Sequence, residues 1–353
     1  MNRVRDEMYY RWMTEEVERG DVFITSEAPF GEVLYWDSDE KLVLSQRIFG
    51  LKVNRDICDS RYLYYWMRSP FFQGELRGRA TGTTVTGLRQ PELLKCMVHL
   101  PPRDAQATIA HILGTIDDKI MLNNQINGYL EELLLIKVAE IESEAEGFCA
   151  VGDYCKRIYS GGTPSTKNVS YWNGTLPWLS SGETRAKFII GTEKMITQAG
   201  IEGSSTKLAN CGSVVMASAG QGFTRGQTSM LLLDTYVNQS VVVMDPKDDC
   251  GTYLLFALTA RYEELRAWSD STSTRGSMSG KVLKQFSLPY LTDSQLKLLE
   301  NFASPLIKMI EFNLRESKSL SALRDALLPK LMSGEIDVSK IDITQLNSHL
   351  SDC

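Results

Sequence analysis

The sequence predicts an α+β fold: two β-rich globular domains with short helices, separated by two long helices that pack on each other as an antiparallel coiled coil. Three observations carry that prediction. The chain repeats itself, with offsets of 188 to 193 residues: Gly20-Asp21-Val22-Phe23-Ile24-Thr25 returns as Gly212-Ser213-Val214-Val215-Met216-Ala217. Leu44-Ser45-Gln46 returns as Val237-Asn238-Gln239, Leu94-Lys95 as Leu283-Lys284, and Asp104-Ala105-Gln106 as Asp293-Ser294-Gln295. Each copy then ends in a long segment whose apolar residues recur three and four apart, the mark of an amphipathic helix. The segments before those helices are short apolar runs broken by Gly, Pro and Asn, which reads as strands and turns.

Element by element, residues 1–102 form the first domain. Asp21–Thr25 and Leu42–Val53 are β-rich, Gly31 is a turn residue, and Arg61–Met67 reads as a short helix. Leu100-Pro101-Pro102 closes the domain. Residues 103–146 are the first long helix, with Asp104 as N-cap. Its stripe runs through Ile109, Ile112, Ile116, Ile126, Leu130 and Leu133, interrupted by Lys119 and Asn123. Residues 147–291 form the second domain and 292–336 the second long helix. That stripe is Leu299, Phe302, Leu306, Met309, Leu320, Leu323 and Leu327, with Asn313 and Glu316 inside it. At 1.5 Å per residue each helix is about 60 Å long. Neither can bury its stripe alone, so pairing as a coiled coil is the simplest solution. Asn124 and Asn313 occupy equivalent places and have two readings: a buried register device, or solvated residues beside the seam. Pro305 is expected to kink the second helix or mark a late start. Gly334 reads as the residue just past its end, and 337–353 as a polar, poorly ordered tail.

The 353 residues suffice for two domains. No run of about 18 apolar residues exists, so no membrane span is expected, and the N-terminal residues lack a secretory apolar core. Seven cysteines without a CxxC pair argue against a disulfide framework and against zinc, and for a reducing cytoplasm. The net charge of −6 hides an uneven distribution. Residues 1–103 are balanced at 15 and 15 charges, 104–150 carry 2 basic against 9 acidic, 151–291 carry 14 against 11, and 292–353 carry 7 against 9. The globular parts are slightly basic and the helices acidic, which permits a nucleic-acid surface without requiring one.

Catalytic constellations are lacking. His99, His111 and His349 are scattered and pair with no Cys or Ser at motif spacing. Gly220-Gln221-Gly222-Phe223-Thr224-Arg225-Gly226 has GxGxxxG spacing and is followed by β-rich sequence, so it reads as a hairpin rather than a phosphate loop. Gly276-Ser277-Met278-Ser279-Gly280-Lys281 is one residue short of a Walker loop and has Val282 where Ser or Thr is needed. No Asn/Asp-Pro-Pro-aromatic methyltransferase signature occurs. No catalytic residue, cofactor or metal is therefore assigned to the chain. Two hydroxyl- and arginine-rich segments recur at equivalent positions. They are Arg77–Thr84 and Ser271–Ser277, and they hold Arg77, Arg79, Thr83, Thr84, Thr274, Arg275 and Ser277. Such side chains suit phosphates and base edges; the alternative is a solvated loop. Gly162, Thr163, Ser181, Arg225 and Lys281 join them as candidate DNA contacts. Trp172 and Trp178 read as core residues.

These residues bring a family into view. Ser160-Gly161-Gly162-Thr163-Pro164-Ser165, Tyr171-Trp172-Asn173-Gly174, Leu176-Pro177-Trp178-Leu179-Ser180, Asn238-Gln239, Leu288-Pro289 and Lys330–Ile336 occur in an order that resembles the DNA specificity subunit of type I restriction-modification systems. The resemblance implies two target-recognition domains, each reading half of a bipartite DNA sequence, with the paired helices as a ruler. It implies double-stranded DNA, methyltransferase subunits and restriction/translocase subunits as partners. S-adenosylmethionine and ATP with Mg are then expected only on those partners. The first copy lacks the Gly-Gly-Thr-Pro and Pro-Trp elements and reads as N-terminally shortened. Leu134, Leu135 and Ile136, in excess of one helical seam, are expected to meet a methyltransferase subunit. An alternative class remains, a helical scaffold whose globes bind protein. Arg275→Ala discriminates, because only the DNA reading predicts weaker duplex binding with assembly intact.

Overall fold

A computed structural model describes residues 4–82, 86–218, 225–272 and 278–341. The chain divides into two compact units, residues up to 121 together with those from 317 onward, and residues 122–316. Both long helices are therefore shared between units rather than standing apart from the globes.

The first unit opens with α1 (Asp6–Trp12), then β1 (Val22–Thr25), β2 (Val33–Tyr35) and β3 (Ile48–Leu51), an antiparallel sheet in the order β2-β1-β3. Helices α2 (Ser60–Arg68), α3 (Pro70–Arg79) and α4 (Gln90–Leu93) follow, then the long α5 (Arg103–Glu142). Asp59 starts α2 by accepting from the Arg61 and Tyr62 amides at 2.9 Å, and Ser69 with Pro70 starts α3. Val22, Ile24, Tyr62, Tyr65, Met67, Phe72 and Leu76 form the core with Ile109 and Leu113 of α5.

The second unit contains β4 (Phe148–Ala150), β5 (Cys155–Ser160), β6 (Trp172–Leu179), β7 (Phe188–Ile189) and β8 (Lys194–Ile196). Helix α6 (Gln198–Glu202), β9 (Lys207–Ala209), β10 (Val214–Ala217), β11 (Thr228–Leu231), β12 (Thr235–Val237) and β13 (Val241–Pro246) come next. Then follow α7 (Gly251–Ala260), α8 (Tyr262–Thr272), α9 (Gly280–Leu283), β14 (Ser287–Pro289) and the long α10 (Asp293–Met332). One sheet has the order β5-β13-β10-β11-β7, a second β8-β6-β12-β9, and β14 pairs with β4.

The duplication is structural. Strands β11-β10-β13 repeat the order and antiparallel sense of β2-β1-β3. Helices α7, α8, α9 and α10 repeat α2, α3, α4 and α5 in sequence. Gly20 (φ +94°) and Gly212 (φ +84°) sit at the same turn, a backbone region open mainly to glycine. The Tyr62 hydroxyl donates to the His99 carbonyl at 2.8 Å and the Tyr253 hydroxyl to the Pro289 carbonyl at 2.7 Å.

Within the second unit, α5 and α10 run antiparallel through a polar layer. The Asn123 amide donates to Glu316 Oε2 (2.6 Å) and the Asn313 carbonyl (3.4 Å), and the Asn313 amide donates to Asn127 Oδ1 (2.9 Å). Of the two readings, the buried one fits Asn313 and the solvated one fits Asn124, whose neighbour Asn123 takes the buried place. Asn123 is fully buried and Asn124 is exposed, because one residue turns a helix by about 100°. In the first unit Arg324 of α10 reaches Asp117 of α5 at 2.7 Å. Pro305 neither delays nor ends α10, which runs from Asp293 to Met332; Pro305 is exposed, so the carbonyl that loses its donor can turn to water. Gly334 (φ +76°) caps the helix as expected, its amide donating to the Leu331 carbonyl at 3.3 Å. Asp104 stands inside the first turn of α5 rather than at its cap.

Candidate nucleic-acid interface

The predicted DNA contacts fall into distinct environments. Arg77 and Arg79 stand in the last turn of α3, not in a loop, where cations are favoured by the helix dipole. Arg77 is exposed. Arg79 is committed to Glu75 at 2.8 Å, and Glu75 also accepts from the Met97 amide at 3.0 Å; these bonds hold the Glu75 carboxyl below its usual range. Thr83, Thr84, Thr274, Arg275 and Ser277 lie outside the described residues, as does 219–224 of the glycine-rich segment. Around that segment β10 and β11 pair antiparallel, in keeping with a hairpin.

Gly162 is a packing residue. A Cβ there would stand 2.1 Å from Ser205 Oγ, and one on Gly161 would stand 1.9 Å from the Val237 carbonyl oxygen. The Gly162 carbonyl accepts from the Trp178 indole at 3.3 Å. Thr163 is exposed beside Gln239 and donates to its amide oxygen. Ser181 is half-buried in a single-turn helix, residues 181–185, whose start is closed by Glu183 accepting from the Ser180 amide and hydroxyl, each at 2.8 Å. Arg225 is only 7% exposed and pairs with Asp270 of α8 at 2.8 Å. Lys281 is exposed on α9. Trp178 is core, as expected, but Trp172 is half-buried and lines a 380 Å³ hollow with Asn173, Glu193 and Lys194, whose ammonium lies 5.8 Å from its ring.

Two cationic clusters escaped the sequence reading. In the first unit Arg19, Arg55, Arg61 and Arg103 line a 470 Å³ cleft with Tyr35 and His111. Arg19 is bonded to Asp37 and Asp39, and Arg61 to Asp118, so much of that charge is already answered. In the second unit Lys187 is partly buried near Arg185 and Gln227. No motif contains either cluster; only the tertiary fold assembles them.

The exposed apolar surface also differs from expectation. Leu134 is fully buried with Val138 and Ile141, and Leu135 packs on the same core; only Ile136 of the three is exposed, at 59%. The outward stripe of α5 is Leu122, Tyr129, Leu133 and Ile136, and that of α10 is Leu298, Phe302, Met309 and Phe312. Lys137 lies over the Phe302 ring at 5.8 Å. Each helix thus carries two apolar stripes, and Leu133, Phe302 and Met309 belong to the outer one.

Among the described residues no group of His, Cys, Asp and Glu could hold a metal ion, and no helix is long and apolar enough to cross a membrane. Residues 13–132, the first copy and most of α5, match the family described as the type I restriction modification DNA specificity domain. The resemblance carried by the motifs is borne out along nearly the whole chain. The chain is 23% identical to the type I restriction enzyme MjaIX specificity subunit of Methanocaldococcus jannaschii, over 92% of this chain and 79% of that protein. It is 19% identical to the HindI specificity subunit of Haemophilus influenzae, over 91% of this chain and 87% of that one. The crystal structure of a type I restriction-modification S subunit from M. genitalium shares its fold, with a TM-score of 0.58 at 15% identity over 89% of this chain and 83% of that one.

Proposed function

We propose that this chain is the sequence-specific DNA-reading subunit of a type I restriction-modification complex. It reads a bipartite target and directs methyltransferase and restriction subunits. It does no covalent chemistry itself. S-adenosylmethionine and ATP with Mg are held by its partners. The observation that carries the reading is the repeated module, the three-stranded unit, two helices, a short third helix and a long helix, made twice in one chain. Two related binding units on one chain suit a target with two halves, and affinity on such a target should come largely from phosphate contacts. The outer stripes of α5 and α10 are the surface for the methyltransferase subunits, since contiguous exposed apolar side chains mark interaction sites.

The test is binding of the assembled complex to duplexes that keep both half-sites and vary the spacer between them. Affinity should peak at one spacer length and fall by tenfold or more when two base pairs are added or removed. Equal affinity at every spacer length would refute the bipartite reading.

A further inference from the structure

The second unit holds a partly buried cation with no ion-pair partner among the described residues. Lys187 stands just before β7, its amine donating to Thr259 Oγ1 at 2.6 Å. Among the described residues it makes no ion pair; Glu131 acts on it at longer range, and burial lowers its pKa to about 8. Partly burying an ammonium without a directly paired carboxylate is costly, and residues that cost stability in this way concentrate at functional sites. The lysine borders a 190 Å³ hollow lined also by Thr184, Arg185, Gly226, Gln227, Thr228 and Tyr262. Arg185 is exposed and makes no ion pair among the described residues. The Gln227 Oε1 is buried without a hydrogen-bond partner, so the hollow is polar and incompletely satisfied. None of the described residues that line it is acidic. Gly226 holds φ +84° at the end of the β10–β11 connection, and Thr184 and Arg185 of the single-turn helix at 181–185 also line the hollow.

We propose that this hollow seats one backbone phosphate of the DNA, with Lys187 and Arg185 as its cationic partners. The proposal rests on the DNA-reading function and places a contact within it. A phosphate oxyanion supplies a direct ion-pair partner for Lys187 and accepts hydrogen bonds from the remaining N–H groups of its ammonium.

The experiment uses the full chain, in its complex, with Lys187→Met and Arg185→Gln variants. Duplex affinity is measured against salt, alongside thermal unfolding with and without inorganic phosphate at constant ionic strength. Lys187→Met is expected to keep or raise the unfolding midpoint, to weaken duplex binding at least fivefold, and to lower the slope of log K against log salt by about one. Arg185→Gln should weaken binding in the same direction while leaving the midpoint in place. Unchanged affinity and slope in both variants, with the wild type binding duplex, would overturn the phosphate seat while leaving the DNA-reading function standing. A wild-type complex that binds no duplex would instead refute that function. If phosphate protects the wild type but not Lys187→Met, and the duplex slope stays the same, the seat belongs to free phosphate and the DNA assignment falls.

Discussion

Lys187 shows how a single residue couples stability to pH. Its ammonium is partly buried, and that burial lowers its pKa to about 8 in the folded chain from 10.5 in the unfolded one. Between those values the unfolded state binds more protons, and stability rises with pH across that window. Below pH 8 the penalty is constant, of order 3 kcal/mol at most for a shift of that size. Lys187→Met should therefore raise the thermal midpoint at pH 7, with the gain shrinking as pH climbs toward 10.5. A midpoint that falls at pH 7 would contradict this. Glu131, whose carboxyl burial raises, acts in the opposite sense in a lower window, so the comparison belongs above pH 7. Glycine positions give a second test. Gly162→Ala has Ser205 atoms within 2.1–3.0 Å of the new methyl and should cost about 2–3 kcal/mol in urea unfolding. Gly78→Ala, in the last turns of α3 with nothing within 4 Å, should stabilise by up to about 1 kcal/mol.

At the scale of elements, the polar layer between α5 and α10 is the feature to break. Asn123→Ala removes the donor to Glu316 and to the Asn313 carbonyl, leaving both acceptors to find water inside the seam. A loss of about 1–3 kcal/mol is expected, against less than about 0.5 kcal/mol for exposed Asn124→Ala. Equal effects would mean the buried layer contributes nothing. The ends of the elements follow local chemistry closely: Asp59 caps α2, Ser69 and Pro70 open α3, Ser279 caps α9 by accepting from the Val282 amide at 3.3 Å, and Gly334 closes α10. Buried thiols behave as packing groups. Burial pushes Cys58 and Cys250 up to about 11 and Cys155 to about 12, so none is a thiolate at neutral pH.

For the whole molecule, assembly and recognition should separate. The double variant Leu133→Asp with Ile136→Asp alters only the outer stripe of α5. It should abolish co-purification with the methyltransferase subunit while leaving the unfolding midpoint within a few degrees. Retained co-purification would move the partner surface elsewhere. Leu134→Asp should instead unfold the second unit, since its side chain is wholly inside that core. The two outcomes distinguish a docking face from a seam.

Much of this was legible in the chain itself. The repeat, the strand-rich copies, the two long amphipathic helices, the helix stop at Gly334 and the family likeness all follow from local patterns: periodicity, turn residues and caps act within a few positions of one another. What the sequence left undecided was phase and company. Two apolar stripes about 100° apart on one helix are equivalent to a sequence reader, and only the antiparallel partner chose Leu134 and Asn123 for the seam and Leu133 and Ile136 for the outside. Arg225 and Gly162 sit in segments that look like binding loops, yet Asp270 and Ser205, distant in sequence, turn them into structural residues. Lys187 has no motif at all. Its character comes from Thr259 and from the polar hollow it shares with Gln227 and Tyr262, which the fold brings beside it from other elements. Local pattern determined which elements form. Desolvation and long-range pairing, which exist only once those elements pack, decided which side chains are left to meet a ligand.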